Sequence, residues 1–184
     1  RYGSAGGEAQ LDKLGGVAWQ ARVARIKGRV RIMAEQLIKI AAVRYSSRAE
    51  PLIAEEGSFA EFCARFAFTE TEDQLNAIND VVDDLASGKA SDRLICGDVG
   101  FGKTEVALRA AFIAAMAGYQ VALVAPTTLL ARQHGKVFFE RFAGFPIKIG
   151  ILSRMTPTAD AKKIREEIAN GEVQIAIGTH ALLA

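Results

Sequence analysis

The sequence predicts an α/β fold, a parallel β-sheet covered by helices on both faces and preceded by one long basic amphipathic helix. Two observations predict the sheet. From residue 93 onward short apolar runs alternate with helical patterns, and a glycine-rich loop joins the first run to its helix. A third observation predicts the long helix: apolar residues near the start of the chain recur at intervals of three and four. Repeated strand–helix–strand units place parallel strands side by side through right-handed crossovers.

Length and composition exclude several classes of protein. The chain has 184 residues, enough for one domain with a full core and an appendage. It has no apolar run of the ~18–20 residues that a membrane span needs, and its start lacks the apolar core of a signal peptide. The two cysteines, Cys63 and Cys96, make no disulfide framework, so we expect a reducing compartment. Cys96 is expected to be a small buried hydrophobe.

Charge is distributed unevenly along the chain. Residues 1–50 carry ten basic and four acidic side chains, whereas residues 51–100 carry three basic and eleven acidic ones. A compact domain need not segregate charge in this way, so the first third is expected to belong to a different unit from the rest. Residues 1–16, rich in glycine, are interpreted as the tail of a preceding domain.

The long helix is predicted over residues 17–48. Its apolar stripe consists of Trp19, Val23, Ile26, Val30, Met33, Leu37 and Ile40. Basic side chains occupy most of the other faces. They indicate either a solvated surface whose aliphatic stems pack along the stripe, or a contact with nucleic acid or an acidic partner.

A linker and a short helix are predicted over residues 49–65. Pro51 and Gly57 indicate the linker, and the capping-box pair Ser58 and Glu61 is expected to open the helix. A further helix with an apolar stripe follows and ends at residues 87–88.

The remainder is expected to alternate between strands and helices. The predicted strands are 94–96, 120–125, 147–152 and 173–177. The predicted helices are 103–117, 128–142 and one between the turn at 153–157 and residues 170–171.

The strongest chemical signal is a phosphate-binding loop. The run Gly97-Asp98-Val99-Gly100-Phe101-Gly102-Lys103-Thr104 matches the pattern G-x-x-x-x-G-K-[ST]. Its glycines allow N–H groups to turn toward an anion, and the helix that begins near Lys103 adds its positive end. Lys103 supplies charge for the β- and γ-phosphates and Thr104 a hydroxyl for Mg²⁺, which makes these two the candidate catalytic residues. The nucleotide site is predicted to comprise residues 97–104 and Glu105.

A second nucleotide-binding element precedes the loop. Phe68, Thr71 and Gln74 follow the order F-x-x-T-x-x-Q, which resembles the adenine-reading element of superfamily 2 helicases and translocases. In that element a glutamine amide pairs with the adenine edge and an aromatic side chain stacks on the base. Thr71 and Gln74 also form a capping box for the helix that follows, and the two roles are compatible.

Polar residues after the later strands are candidates for contact with a DNA backbone. They are expected at the same sheet edge as the phosphate loop, and their two motifs resemble backbone-binding segments of the same superfamily. The candidates are Thr127, Thr128, Gln133, His134, Arg154, Thr179 and His180. A helix cap is the alternative role for Thr127 or Thr128, and a structural role is the alternative for His180.

Longer runs carry a closer resemblance. Residues 92–112, 126–134 and 177–183 resemble the bacterial transcription-repair coupling factors, a family of superfamily 2 DNA translocases. Branch-migration DNA helicases are similar in these motifs. Residues 11–19, followed by the basic helix, resemble the coupling factors alone.

The resemblance implies an ATP-driven translocase on double-stranded DNA, with ATP and Mg²⁺ as ligands. It implies that the whole protein removes stalled RNA polymerase, recruits an excision-repair damage-recognition protein, and works in the bacterial cytoplasm without a membrane partner. Residues 17–48 would then link a polymerase-binding domain to the motor, and residues 66–184 would form its first RecA-like lobe, cut before the Walker-B strand.

The same resemblance implies groups that the 184 residues do not contain. The Walker-B carboxylates and the arginine finger of a second lobe are expected beyond Ala184. We therefore expect the 184 residues alone to bind nucleotide weakly and to hydrolyse ATP negligibly. A missing strand would expose a sheet edge, so low stability or self-association is expected.

Other functions remain open from the residues alone. The chain is alternatively a lobe of a branch-migration helicase, a small phosphotransferase, or a nucleotide-binding scaffold whose basic helix docks a partner. A phosphotransferase needs a lid, and the sequence shows no arginine-rich segment of that kind.

Overall fold

The computed structural model describes residues 14–183. Most of the predicted tail, residues 1–16, therefore lies outside the described residues. The chain divides into two compact units after Ser47, and each unit is described by itself. Within residues 14–183, no helix combines the length and the apolar character that a membrane crossing needs.

The first unit contains the predicted long helix, α1 (Val17–Ser46). No residue of α1 is buried. The apolar stripe is more than half exposed along most of its length, with Ile26 at 52% and Leu37 at 64%. An exposed ion pair between Arg31 and Glu35, 3.2 Å apart, spans one helical turn and contributes little to stability.

The second unit is built on a parallel sheet of three strands, β1 (Val121–Val124), β2 (Ile149–Leu152) and β3 (Ile175–Gly178). The strand order is β1-β3-β2, so β3 lies at the centre. All four residues of β3 are buried, as expected for a parallel strand covered on both faces. The carboxyl ends of the strands meet at one edge, where Val124, Gly178 and Leu152 are aligned.

The helices of the second unit lie close to their predicted positions: α2 (Glu56–Ala64), α3 (Glu72–Ala86), α4 (Lys103–Met116), α5 (Thr128–Arg141) and α6 (Thr158–Ala169). A 3-10 turn over His180–Leu182 follows β3.

Helices cover both faces of the sheet, as predicted. On one face α4 and α5 pack over the strands through Leu108, Phe138 and Ile177. Helix α5 approaches β2 so closely that a Cβ atom at Gly135 would lie 2.3 Å from Ile151 Cδ1. On the other face α6 lies over β2, where a Cβ at Gly150 would lie 2.9 Å from Ile164 Cγ2.

Phenylalanines dominate the core beside the sheet. The rings of Phe62 and Phe112 stack at 4.4 Å between centroids, and those of Phe138 and Phe142 stack at 5.6 Å. Each of these rings is at most 2% exposed, and full burial of such a side chain stabilises a fold by about 1.5–3 kcal/mol. The cluster joins α2, α4 and α5 into one layer.

The segment before the phosphate loop differs from its prediction. Residues 94–96 are not a strand. Leu94 is 85% exposed, and Cys96 is exposed where burial was predicted. The physical reason is that a strand needs a partner for its backbone groups, and no strand of the described residues pairs with this segment.

The predicted linker and the start of the short helix also need correction. Helix α2 begins at Glu56, so Ser58 lies inside its first turn and its hydroxyl donates to Glu55 Oε2 at 2.8 Å. The capping box of Ser58 and Glu61 is therefore wrong. Residues 48–54 run along the end of α3, where the Leu52 N–H donates to the Leu85 carbonyl at 2.9 Å.

Candidate functional site

The phosphate loop, residues 97–104, has a backbone that requires glycine at two positions. Gly100 and Gly102 have φ angles of +86° and +69°. An L-residue with a side chain adopts these angles only with strain. Gly102 is the N-cap of α4, so the loop leads directly into a helix N-terminus whose free N–H groups favour an anion.

Lys103 lies at the start of α4 with its ammonium folded toward the loop. Its Nζ donates to the carbonyls of Gly97 and Asp98, both at 2.6 Å. The cation is thus held beside the turn of backbone that the sequence assigns to phosphate. The tip of the loop is open, since Val99 is 98% and Phe101 61% exposed.

Gln74 has two structural contacts through one amide. It completes the predicted capping box. Its side-chain Oε1 accepts a hydrogen bond from Thr71 N at 2.9 Å, and its backbone N–H donates to Thr71 Oγ1 at 3.3 Å. In addition, its Nε2 donates to the Phe101 carbonyl at 2.9 Å. Sequence reasoning missed this contact between Gln74 and the loop, since no local spacing indicates it.

Phe68 and Gln74 do not line the same cleft. Gln74 lines a cleft of about 350 Å³ together with Lys103. Phe68 lies on a second cleft of about 820 Å³ between α4 and α5, here called the α4–α5 cleft. Its lining includes Phe66, Phe68, Thr104, Gln133, His134 and Arg141. The phosphate loop therefore has a cleft on each side, and Thr104 faces the larger one.

Glu105 is not available to a nucleotide through its side chain. It is 5% exposed, and its Oε1 accepts from Arg109 Nε at 2.9 Å and from Arg141 Nη2 at 3.0 Å. Its Oε2 accepts from Arg141 Nη1 at 3.0 Å. The predicted nucleotide contact of Glu105 is thus corrected, because both of its oxygens bind arginines that fix α4 against α5.

The same network extends to the segment that carries Phe68. Arg109 Nη2 donates to Glu70 Oε1, and the Arg109 guanidinium lies 5.9 Å from the centroid of the Phe66 ring. The hydrogen bond from Arg109 lowers the pKa of Glu70. Burial alone would lower the pKa of Arg109, but hydrogen bonds to Glu70 and Glu105 raise it overall. The spacing of Glu105 and Arg109 on α4 was the only local signal of this network.

Replacing Glu70 by glutamine is expected to make the free energy of unfolding depend less on pH between neutral pH and about pH 3. The folded-state pKa of Glu70 lies below its ordinary value of 4.5, so the ion pair contributes fully above that pH. The contribution is lost as pH falls through the lower folded-state pKa. Urea unfolding from neutral pH down to about pH 3 measures the loss. Glu166→Gln, at an exposed position, is the control, and a Glu70→Gln slope equal to wild type would contradict the expectation.

Most of the predicted DNA contacts come together at the carboxyl edge of the sheet. They line a cleft of about 480 Å³, here called the edge cleft. Its lining includes Pro126, Thr127, Thr128, Arg154, Thr179 and His180. The first three of these residues follow β1, Arg154 follows β2, and the last two follow β3. Parallel strands thus bring together residues that are far apart in the sequence.

Local structure fixes the polar groups of the edge cleft. Thr127 is also the N-cap of α5, because its Oγ1 accepts from Leu130 N at 3.2 Å. Arg154 is exposed on a turn in which Thr156 Oγ1 accepts from Ser153 N at 3.1 Å. The capping role of Thr127 is thereby confirmed. Its hydroxyl oxygen can still donate its proton to a phosphate.

Gln133 and His134 are separated from the other predicted DNA contacts. Both line the α4–α5 cleft and neither lines the edge cleft. A metal site built by the protein alone is absent from residues 14–183, which hold no group of three His, Cys, Asp or Glu side chains suited to an ion.

The chain belongs to the DEAD/DEAH box helicase family, which residues 71–184 match. Its fold is the predicted RecA-like one. A structure of RecG bound to a three-way DNA junction is similar, with a TM-score of 0.73 and 36% identity, over 79% of this chain and 20% of that one.

Over its full length the chain is similar to transcription-repair-coupling factors. It is 49% identical to that of Rickettsia bellii and 45% identical to that of Escherichia coli, in both cases over 100% of this chain. It spans 16% of the length of these curated relatives. The resemblance to this family is thereby confirmed, including the part of the chain that carries α1.

Proposed function

We propose that the chain is the linking helix and first motor lobe of an ATP-driven translocase on double-stranded DNA. The whole protein would remove stalled RNA polymerase and couple transcription to excision repair, as the names of its relatives suggest. The observation that carries the motor function is that one helix, α5, lines both the edge cleft and the cleft beside the phosphate loop. The proposed DNA site and the proposed nucleotide site would thus share one rigid element.

The phosphate loop fits ATP with Mg²⁺. Gly100 and Gly102 shape a cradle of N–H groups, and Lys103 exchanges its bonds to loop carbonyls for bonds to phosphate oxygens. When bound, Mg²⁺ neutralises charge on the β- and γ-phosphates. We infer that the 184 residues alone turn over ATP negligibly, since the adjacent acidic pair that follows the phosphate loop in the sequence, Glu166-Glu167, lies on α6.

The edge cleft fits the phosphate backbone of DNA. Hydroxyls from Thr127, Thr128 and Thr179 and the guanidinium of Arg154 are groups that contact phosphates without reading bases. Backbone contacts of this kind position a protein on DNA independently of sequence, as a translocase requires.

Replacing Arg154 by alanine in the intact protein tests the DNA site. We expect weaker binding of duplex DNA at every sequence, and a salt dependence of the affinity that decreases by about one counterion, because one phosphate contact is lost. Fluorescence titrations of a labelled duplex at several salt concentrations measure both quantities. Arg165→Ala on α6 removes the same charge from an exposed position outside the cleft. If the two variants behave alike, the assignment of Arg154 is wrong.

Replacing Gln74 by alanine tests the adenine-reading element. We expect the affinity for ATP to decrease by more than that for other nucleoside triphosphates, because the amide that reads adenine is removed. Competition binding of ATP, GTP and CTP to the intact protein gives the ratio. An equal loss for all three nucleotides would show that Gln74 acts only through the capping box and the Phe101 carbonyl.

A further inference from the structure

The α4–α5 cleft has the size and the two-sided chemistry of a site for a small amphipathic molecule. Its volume is about 820 Å³, within the usual range for ligand clefts. Leu108, Leu130 and Val137 give it apolar walls, and Thr104 brings the first turn after the phosphate loop to its lining. A nucleotide whose phosphates lie at the loop can therefore extend its base and ribose into this cleft. Gln74 still borders that path, because its Nε2 would lie 2.7 Å from a Cβ at Gly102, which belongs to the same lining.

The cleft has an exposed aromatic ring on the segment before α3. Phe68 is 75% exposed, and its ring meets the edge of the Phe66 ring at 5.6 Å between centroids. Phe66 is in turn placed beside the guanidinium groups of Arg109 and Arg141. The Phe68 ring is thus held in place by its contact with Phe66, and its exposed face is a flat apolar surface on which a base can stack.

Gln133 and His134 present the polar groups of the α5 wall. They share the cleft face of α5 with Leu130 and Val137, as the three- and four-residue spacing requires. Within residues 14–183 no hydrogen bond or ion pair is formed by either side chain, so their donors and acceptors are available to a ligand.

Helix geometry keeps these two side chains away from the edge cleft. An α-helix turns by about 100° per residue, so Gln133 and His134 project about 140° and 120° to either side of the direction of Thr128. Thr128 lines the edge cleft. A DNA backbone held by Thr127 and Thr128 would therefore lie on a different side of α5.

We propose that Gln133 and His134 bind the nucleoside part of the bound nucleotide and determine its affinity, in place of the DNA contact predicted for them. Both side chains donate and accept hydrogen bonds, which suits ribose hydroxyls and the nitrogen atoms of a base. This inference rests on the proposed function, since it requires that Lys103 and Thr104 hold the phosphates of the same molecule.

The test compares three ligands of the intact protein: ATP, inorganic tripolyphosphate and a blunt DNA duplex. For Gln133→Ala and for His134→Ala we expect the Kd of ATP to rise about three- to tenfold, the effect of one lost hydrogen bond. Binding of tripolyphosphate and of duplex is expected to stay at the wild-type level, because neither ligand reaches the α5 wall. Thermal unfolding at the wild-type temperature verifies that α5 is intact.

Two further variants separate this inference from the proposed function. Lys136→Ala, on the exposed side of α5, is the matched control and should leave the Kd of ATP unchanged. Lys103→Ala should weaken both ATP and tripolyphosphate. If it weakens neither, the proposed function itself fails. If Lys103→Ala behaves as expected but Gln133→Ala and His134→Ala weaken the duplex or tripolyphosphate and spare ATP, the nucleoside contact alone is overturned.

Discussion

Replacing Lys103 by alanine is expected to lower ATP turnover and DNA translocation by the intact protein at least about 100-fold, the usual cost of removing one preorganised group that stabilises developing charge. Lys103 is the loop's own cation, and its Nζ already lies 2.6 Å from the carbonyls of Gly97 and Asp98. Alanine cannot supply that charge, and no backbone N–H group replaces it. ATP hydrolysis in the presence of duplex DNA, and displacement of a DNA-bound obstacle, measure the two losses.

The fold should survive this substitution. Lys103 is exposed at the first position of α4, where alanine is a good helix former. Lys103→Arg is an informative companion, because it keeps the positive charge but replaces a compact ammonium by a planar guanidinium. Lys136→Ala controls for a simple loss of charge. If the Lys103→Ala variant translocates at the wild-type rate, the assignment of Lys103 to the phosphate site is wrong.

The phosphate loop could be predicted because its determinants are local. Gly100 and Gly102 are required by their own φ angles, and the helix that follows begins at the next residue. The caps at Thr71 and Thr127 are equally local, since each involves a residue three positions away. The elements from residue 103 onward were predictable for a related reason, because each hydrophobic pattern has the period of its own element.

The segment at residues 94–96 shows what local patterns leave open. Its three apolar residues have the composition of a buried strand, but strand formation depends on a neighbour that a sequence window does not contain. The placement of Gln133 and His134 shows a second limit of local patterns, and their contact with DNA stays a prediction. They belong to the motif that supplies Thr127 and Thr128, yet the rotation of α5 directs them into another cleft.

The buried charges could not be predicted, because their partners come from separate elements. Glu105 and Arg109 lie on α4, Arg141 on α5 and Glu70 on the segment before α3. Only the pair on α4 is visible as a spacing. Sequence reasoning accordingly placed Glu105 with the nucleotide, since it directly follows the loop, whereas packing of α4 against α5 directs its carboxylate inward.

Replacing Glu105 by alanine is therefore expected to destabilise the motor lobe by about 3–5 kcal/mol, because it leaves two buried guanidinium groups without their shared carboxylate. The side chains of Arg109 and Arg141 are only 6% and 13% exposed, so water compensates them poorly. Amide hydrogen exchange in the intact protein should show the loss as faster exchange in α4 and α5, by two orders of magnitude or more where the wild-type amides exchange through unfolding of the lobe.

Two further variants distinguish the effect of losing the buried charge from the effect of losing its hydrogen bonds, and from the effect of removing an exposed carboxylate. Glu105→Gln keeps the shape of the side chain and one hydrogen-bond acceptor. If it lowers the free energy of unfolding almost as much as alanine does, the effect is due to the lost charge. If it lowers the free energy only slightly, the effect is due to hydrogen bonding. Glu166→Ala removes an exposed carboxylate that lies 3.9 Å from Lys162, and we expect it to cost at most about 0.5 kcal/mol. If Glu105→Ala is as mild as Glu166→Ala, the two arginines are compensated by other groups, and Glu105 would again be a candidate for contact with the nucleotide.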